Sequence, residues 1–155
     1  MTIYLIRHAT AGTRGGNGAA NDLDRELDAL GVDQATGIAE RLGVEPISRV
    51  LSSRALRCVQ TVAPLAEKLG LSVEHSPELL EGQSAVMAVE LCRRFAADGV
   101  TAGLCSHGDI IPDTIQTLAR EGLVIIGPRG WAKGSTWRLN SRGGDLVSAE
   151  FLGPY

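Results

Sequence analysis

At 155 residues the chain has the length of one well-buried domain, and its 44% hydrophobic and 21% charged residues are ordinary for a globular protein. No apolar run approaches the ~18 residues of a membrane span, and a net charge of −3 without a Lys/Arg cluster argues against a nucleic-acid binder. The amino terminus enters a strand rather than a signal-peptide core, and Cys58, Cys92 and Cys105 form no CxxC pair. The expectation is a cytoplasmic single domain, residues 1–155, with reduced, packed thiols.

The apolar run Thr2-Ile3-Tyr4-Leu5-Ile6 predicts a buried strand that ends at Arg7-His8. Residues 9–22 are rich in glycine, alanine and polar side chains and read as a loop. A helix over 32–42 places Ala35, Ile38, Ala39 and Leu42 on one face and stops at Gly43. A short strand over 49–51 leads to a helix over 56–69, in which Pro64 predicts a kink or the start of a second segment. A short strand over 72–74 and an amphipathic helix over 85–97 follow, with Val86, Val89, Leu91 and Phe95 available for burial. Residues 101–105 form the next strand, and 110–120 a helix with Pro112 in its first turn. The alternating runs 135–139 and 145–151, around a turn at 140–144, read as a hairpin. Strands alternating with helices, then a hairpin, predict a three-layer α/β sandwich: a mainly parallel central sheet, helices on both faces and an antiparallel C-terminal hairpin.

Two of the three histidines close strands: His8 follows the first, and His107 follows the strand over 101–105. A third strand end opens into Ser52-Ser53-Arg54-Ala55-Leu56-Arg57-Cys58-Val59-Gln60-Thr61. The carboxyl ends of parallel strands share one edge of a sheet, so Arg7, His8, Arg57 and His107 are placed to converge. Two guanidiniums and two imidazoles beside helix N-termini suit a phosphoryl dianion, and a neutral imidazole is a competent nucleophile toward phosphorus.

The segments RHATAG, SSRALRCVQT and SHGD, in this order and each at a strand end, make the chain resemble the histidine phosphatase superfamily, also called phosphoglycerate mutase-like. Arg14, the stretch Asp24-Arg25-Glu26-Leu27-Asp28-Ala29-Leu30-Gly31 and Lys133-Gly134-Ser135-Thr136-Trp137 are most similar to its small SixA-type branch and to the domain fused to Nudix modules in MutT-like proteins. The resemblance implies a phosphoglycerate mutase-like fold and a phosphatase without cofactor or metal. Its nucleophile is His8, its phosphate ligands are Arg7, Arg57 and His107, and Arg14 and Arg54 are auxiliary. Glu81 is the positional candidate for the proton donor, with Glu78 and Asp109 as alternatives. Ala9 stands where the family usually has glycine, a change seen in the SixA-type branch. A phosphoprotein or a phosphorylated small molecule is the implied partner, with neither nucleic acid nor membrane and with a functional association with a Nudix hydrolase.

Three functions compete on these residues. The first is a phosphatase working through a covalent phosphohistidine, open to a protein phosphohistidine, a small phosphomonoester or a nucleotide, since about two dozen residues between Glu81 and Ser106 leave little room for a lid. The others are a phosphoglycerate-type mutase and a phosphate-recognising module without turnover. His75 is expected to be structural, and Trp131 and Trp137 to pack against the sheet.

Overall fold

The computed structural model of the protein describes residues 1–13 and 21–154. Its strands are β1 (Thr2–Arg7), β2 (Arg49–Ser52), β3 (Val73–His75), β4 (Ala102–Ser106), β5 (Val124–Ile126), β6 (Thr136–Arg142) and β7 (Asp145–Leu152). Its helices are α1 (Ala29–Leu42), α2 (Leu56–Leu69), α3 (Ala85–Ala97) and α4 (Ile110–Arg120). The strands form one sheet in the order β3-β2-β4-β1-β6-β7-β5. The run β3-β2-β4-β1 is parallel, β6 is antiparallel to both β1 and β7, and β5 lies parallel to β7 at the edge.

Period-2 alternation in β1 explains the layers. Ile3 and Leu5 enter one core with Val89, Cys92 and Phe95 of α3 and Ile111 and Ile115 of α4. Tyr4 and Ile6 enter the other, with Ile38 and Leu42 of α1 and Val62 and Leu65 of α2. The three-layer α/β sandwich is therefore as expected, with all three cysteines buried and free.

Several local expectations are corrected. Helix α2 runs unbroken through Pro64, so no second segment starts there. Val62, Leu65 and Ala66 bury one continuous face around the proline, and that packing outweighs one lost backbone bond. Val86 is exposed, because two helical residues turn it about 200° away from Ala88, which centres the buried face of α3. The hairpin turn is Gly143-Gly144 alone, with φ of 61° and 88°. Ser141 and Arg142, read as loop, pair with Leu146 and Asp145. Strand β5 escaped the sequence reading, since it has three residues and exposes Val124 and Ile126.

Candidate active site

Strand register assembles the site. Arg7 pairs with Ser106 across β1 and β4, so the residues that follow, His8 and His107, lie side by side with ring centroids 5.5 Å apart at 63°. Ser52 pairs with Cys105, which brings Ser53 into the same row, its Oγ 2.8 Å from His107 Nε2. Helix α2 then begins, and Arg57 in its first turn reaches His107 Nδ1 at 3.3 Å. The three strand ends meet at a cavity of about 420 Å³ whose lining includes Arg7, His8, Arg25, Arg57, Glu81, Asp109 and Lys133.

The orientation of His8 is set by one bond. Its Nδ1 lies 2.8 Å from the Ala9 carbonyl, which can only accept, so Nδ1 carries the proton and Nε2 keeps its lone pair. The backbone around it is held from two sides: His8 N–H donates to Ser106 O of β4 at 3.0 Å, and Gly134 N–H, in the turn before β6, donates to His8 O at 3.1 Å. Burial above all pushes the imidazole down to about 3, and His107, Arg57 and Arg7 add to the effect against the bond to Ala9. His8 is thus neutral across the physiological range, the state in which an imidazole nitrogen is able to attack.

Its neighbour is wired differently. A guanidinium only donates, so His107 Nδ1 accepts from Arg57 and its Nε2–H points to Ser53 Oγ. Arg57 is fully buried and reaches Asp22 O at 2.8 Å, with its Nη2 3.1 Å from both Asp22 Oδ2 and Glu81 Oε2. Arg7 donates to Trp131 O at 2.6 Å. Its guanidinium lies against Gly108, where an added Cβ would fall 2.6 Å from Nη2, which explains the glycine after His107. The Nε–H groups of Arg7 and Arg57 are both buried with no hydrogen-bond partner among the described residues. Two such cationic donors beside a neutral imidazole make a site for an anion.

The three carboxylates named from sequence separate by position. Glu81 lines the cavity and pairs with Arg57. Asp109 also lines it, but its Oδ2 accepts the Gly82 N–H at 2.8 Å, bracing the turn that presents Glu81. Ser106 braces the same turn by donating to Leu79 O at 2.6 Å. Glu78 faces another cleft, where Ser76 Oγ donates to it and, with a weaker contribution from Arg94, holds it below the usual carboxylate range. Arg14 falls outside the described residues. Arg54 is exposed, absent from the cavity lining, and shares a small separate cleft with His75 and Leu80. His75 is exposed, while Trp137 is buried and stacks near Trp131 and Phe151.

Other residues emerge only from the fold. Arg25, whose segment resembles the family but whose role the sequence leaves open, is buried in the cavity wall. It binds Asp22 Oδ1 at 3.1 Å and Gly12 O at 2.5 Å. Asp28 caps α1 through the Gly31 N–H, and Gly31 is needed because a Cβ there would lie 1.9 Å from Thr10 O. Gln60 accepts from the Leu27 N–H at 2.9 Å, so a motif residue of α2 holds the entry to α1. Lys133, cited only for its family pattern, lines the cavity ahead of Gly134.

A family model for the histidine phosphatase superfamily (branch 1) matches residues 3–98. The 8-oxo-(d)GTP phosphatase of Mycolicibacterium smegmatis is 31% identical over 156 residues, covering 99% of this chain and 48% of that protein. The probable phosphoglycerate mutase GpmB of Serratia proteamaculans is 26% identical over 119 residues, covering 70% of this chain and 55% of that protein. The chain thus spans about half the length of the curated relatives it matches. Among solved structures, the protein histidine phosphatase SixA complexed with tungstate superposes with a TM-score of 0.75 at 23% identity, over 99% of this chain and 95% of that one. A mycobacterial glucosyl-3-phosphoglycerate phosphatase gives 0.70 at 19% identity, over 97% and 96%. These structures establish the same fold. The family match takes in β1, the strand end of β2 and the whole of α3, and so includes His8 and Arg57: the chain belongs to the histidine phosphatase superfamily, branch 1.

Proposed function

We propose that the chain is a metal-independent phosphatase that forms a covalent phosphohistidine at His8 and passes the phosphoryl group to water. The observation that carries this reading is the Nδ1–H bond of His8 to Ala9 O, which leaves an unprotonated Nε2 beside two guanidiniums. Nε2 attacks phosphorus, the Nε2–P bond forms, and the bond to the leaving oxygen breaks as Glu81 delivers a proton to it. Water then attacks phosphorus while Glu81 takes its proton, and the Nε2–P bond breaks. Arg7 and Arg57 neutralise the phosphoryl oxygens.

Hydrolysis is favoured over return of the phosphate to a second hydroxyl. Only residues 80–84 separate the 3-10 turn Pro77–Leu79 from α3, and 81–84 are exposed, so this interval supplies no cover that would keep water out. The substrate is a protein phosphohistidine, as the name of the SixA neighbour suggests, or a small phosphomonoester or nucleotide, as that of the 8-oxo-(d)GTP phosphatase suggests. The test is turnover of an aryl phosphate in the presence of a chelator, followed by a panel of phosphohistidine peptides, nucleotides and phosphoglycerates. Release of inorganic phosphate that depends on His8 is expected. Phosphoglycerate interconversion faster than hydrolysis would make the chain a mutase, and vanadate binding without any turnover would make it a recognition module.

A further inference from the structure

The proton on His8 Nδ1 is held by a network that reaches into two helices. The accepting carbonyl belongs to the Ala9–Thr10 peptide, and the N–H of that same peptide donates to Gln34 Oε1 of α1 at 2.9 Å. The preceding peptide is tied as well: Ala9 N–H donates to Thr61 Oγ1 of α2 at 2.9 Å. The Thr61 hydroxyl proton goes in turn to Arg57 O at 2.7 Å. Directions are unambiguous, since a backbone N–H only donates; Gln34 must present its oxygen, and Thr61 a lone pair. Thr61 is fully buried and Gln34 is 7% exposed, so bulk water has little access to replace either. Two glycines let Gln34 reach its place: a Cβ at Gly31 would collide with Thr10 O, and one at Gly134 would lie 2.8 Å from Gln34 Cδ.

We propose that Gln34 and Thr61 are positioning residues that lock both peptides flanking Ala9, so that the Ala9 carbonyl keeps the His8 proton on Nδ1 and Nε2 free for attack. This rests on the reading of His8 as the nucleophile. With the Ala9–Thr10 peptide free to rotate, its carbonyl leaves Nδ1 and the neutral ring divides between two tautomers. The form protonated on Nε2 has no lone pair to offer phosphorus. Thr61 also joins the nucleophile to the backbone of Arg57, so one hydroxyl keeps His8 in register with a phosphate ligand.

The test reads the His8 ring nitrogens by 15N NMR in substrate-free protein, beside steady-state kinetics, for Gln34→Met, Thr61→Val and Thr61→Ser. Wild type and Thr61→Ser are expected to show a protonated Nδ1 and a bare Nε2. Gln34→Met and Thr61→Val are expected to populate the opposite tautomer, with kcat lower by about 10- to 100-fold and KM little changed. Wild-type nitrogen shifts and kcat in both folded variants would overturn the proposal. So would a Thr61→Ser protein as impaired as Thr61→Val, which would make the residue a matter of packing. Should Gln34→Met not fold, the Thr61 pair and the wild-type spectrum decide, and a proton on Nε2 in wild type refutes the idea outright. The tautomer is read without turnover, so a chain that holds Nδ1–H yet hydrolyses nothing refutes the phosphatase reading alone.

Discussion

Three parallel strands of this sheet deliver a histidine at their carboxyl ends, and their fates differ. Strands β1 and β4 are interior neighbours, and the residues that follow them, His8 and His107, are 5% and 1% exposed. Strand β3 is an edge strand, and His75 at its end is open to solvent. Position in the strand order decides which imidazole can join a desolvated site. Within the buried pair, the partner of each ring nitrogen decides again: a backbone carbonyl keeps the proton of His8 on Nδ1, whereas Arg57 makes His107 Nδ1 an acceptor.

The largest effect that this contrast predicts is at His8. His8→Ala should lower turnover of an aryl phosphate by on the order of 10⁴-fold or more, measured as phosphate release under saturating substrate. His107→Ala removes a proposed phosphate ligand rather than the proposed nucleophile and should cost on the order of 10²- to 10³-fold in kcat, with a covalent intermediate still formed. Glu81→Gln should lower kcat by about 10- to 100-fold on alkyl phosphates, whose leaving oxygen needs a proton, and far less on nitrophenyl phosphate; comparing the two substrates checks it.

Stability against acid tests the same contrast without catalysis. Folded His8 takes up a proton only near pH 3, whereas in the unfolded chain it does so near its ordinary value of 6.5. The unfolded state therefore binds more protons between these values. The contribution is nil above about 6.5 and becomes destabilising as the pH falls toward 3, to the extent of roughly a few kcal/mol. Urea unfolding midpoints should fall through this window in wild type and fall less in His8→Ala. The smallest effect is at His75: His75→Ala should leave kcat and KM within about twofold and stability within about 0.5 kcal/mol.

Much of this was legible in the residues. Alternation in β1 and the glycine stops of the helices give the layers, and Arg7-His8, Arg57 and His107 occur in contexts that a parallel sheet gathers on one edge. What could not be read is whatever depends on approach between segments distant in sequence. Gln34 lies on the buried face of α1 with no motif around it, and only the close passage of Gly31 past Thr10 reveals its contact. Position along the sequence favours Glu81 and keeps Glu78 as an alternative, and only the 3-10 turn at Pro77–Leu79 shows that the two face different clefts. Arg54 and Arg57 are three residues apart, and the start of α2 buries one and exposes the other. Pro64 starts no second segment, because tertiary packing carries α2 across it.

The most direct measurement is acid quench of the protein during steady-state turnover of an aryl phosphate, with peptide mapping of the trapped phosphoryl group under conditions that preserve phosphohistidine. One phosphoryl group on the peptide containing His8, absent from the His8→Ala protein, is the expected result. Full turnover in His8→Ala, or a phosphoryl group trapped on another residue, would contradict the assignment of His8 as the nucleophile.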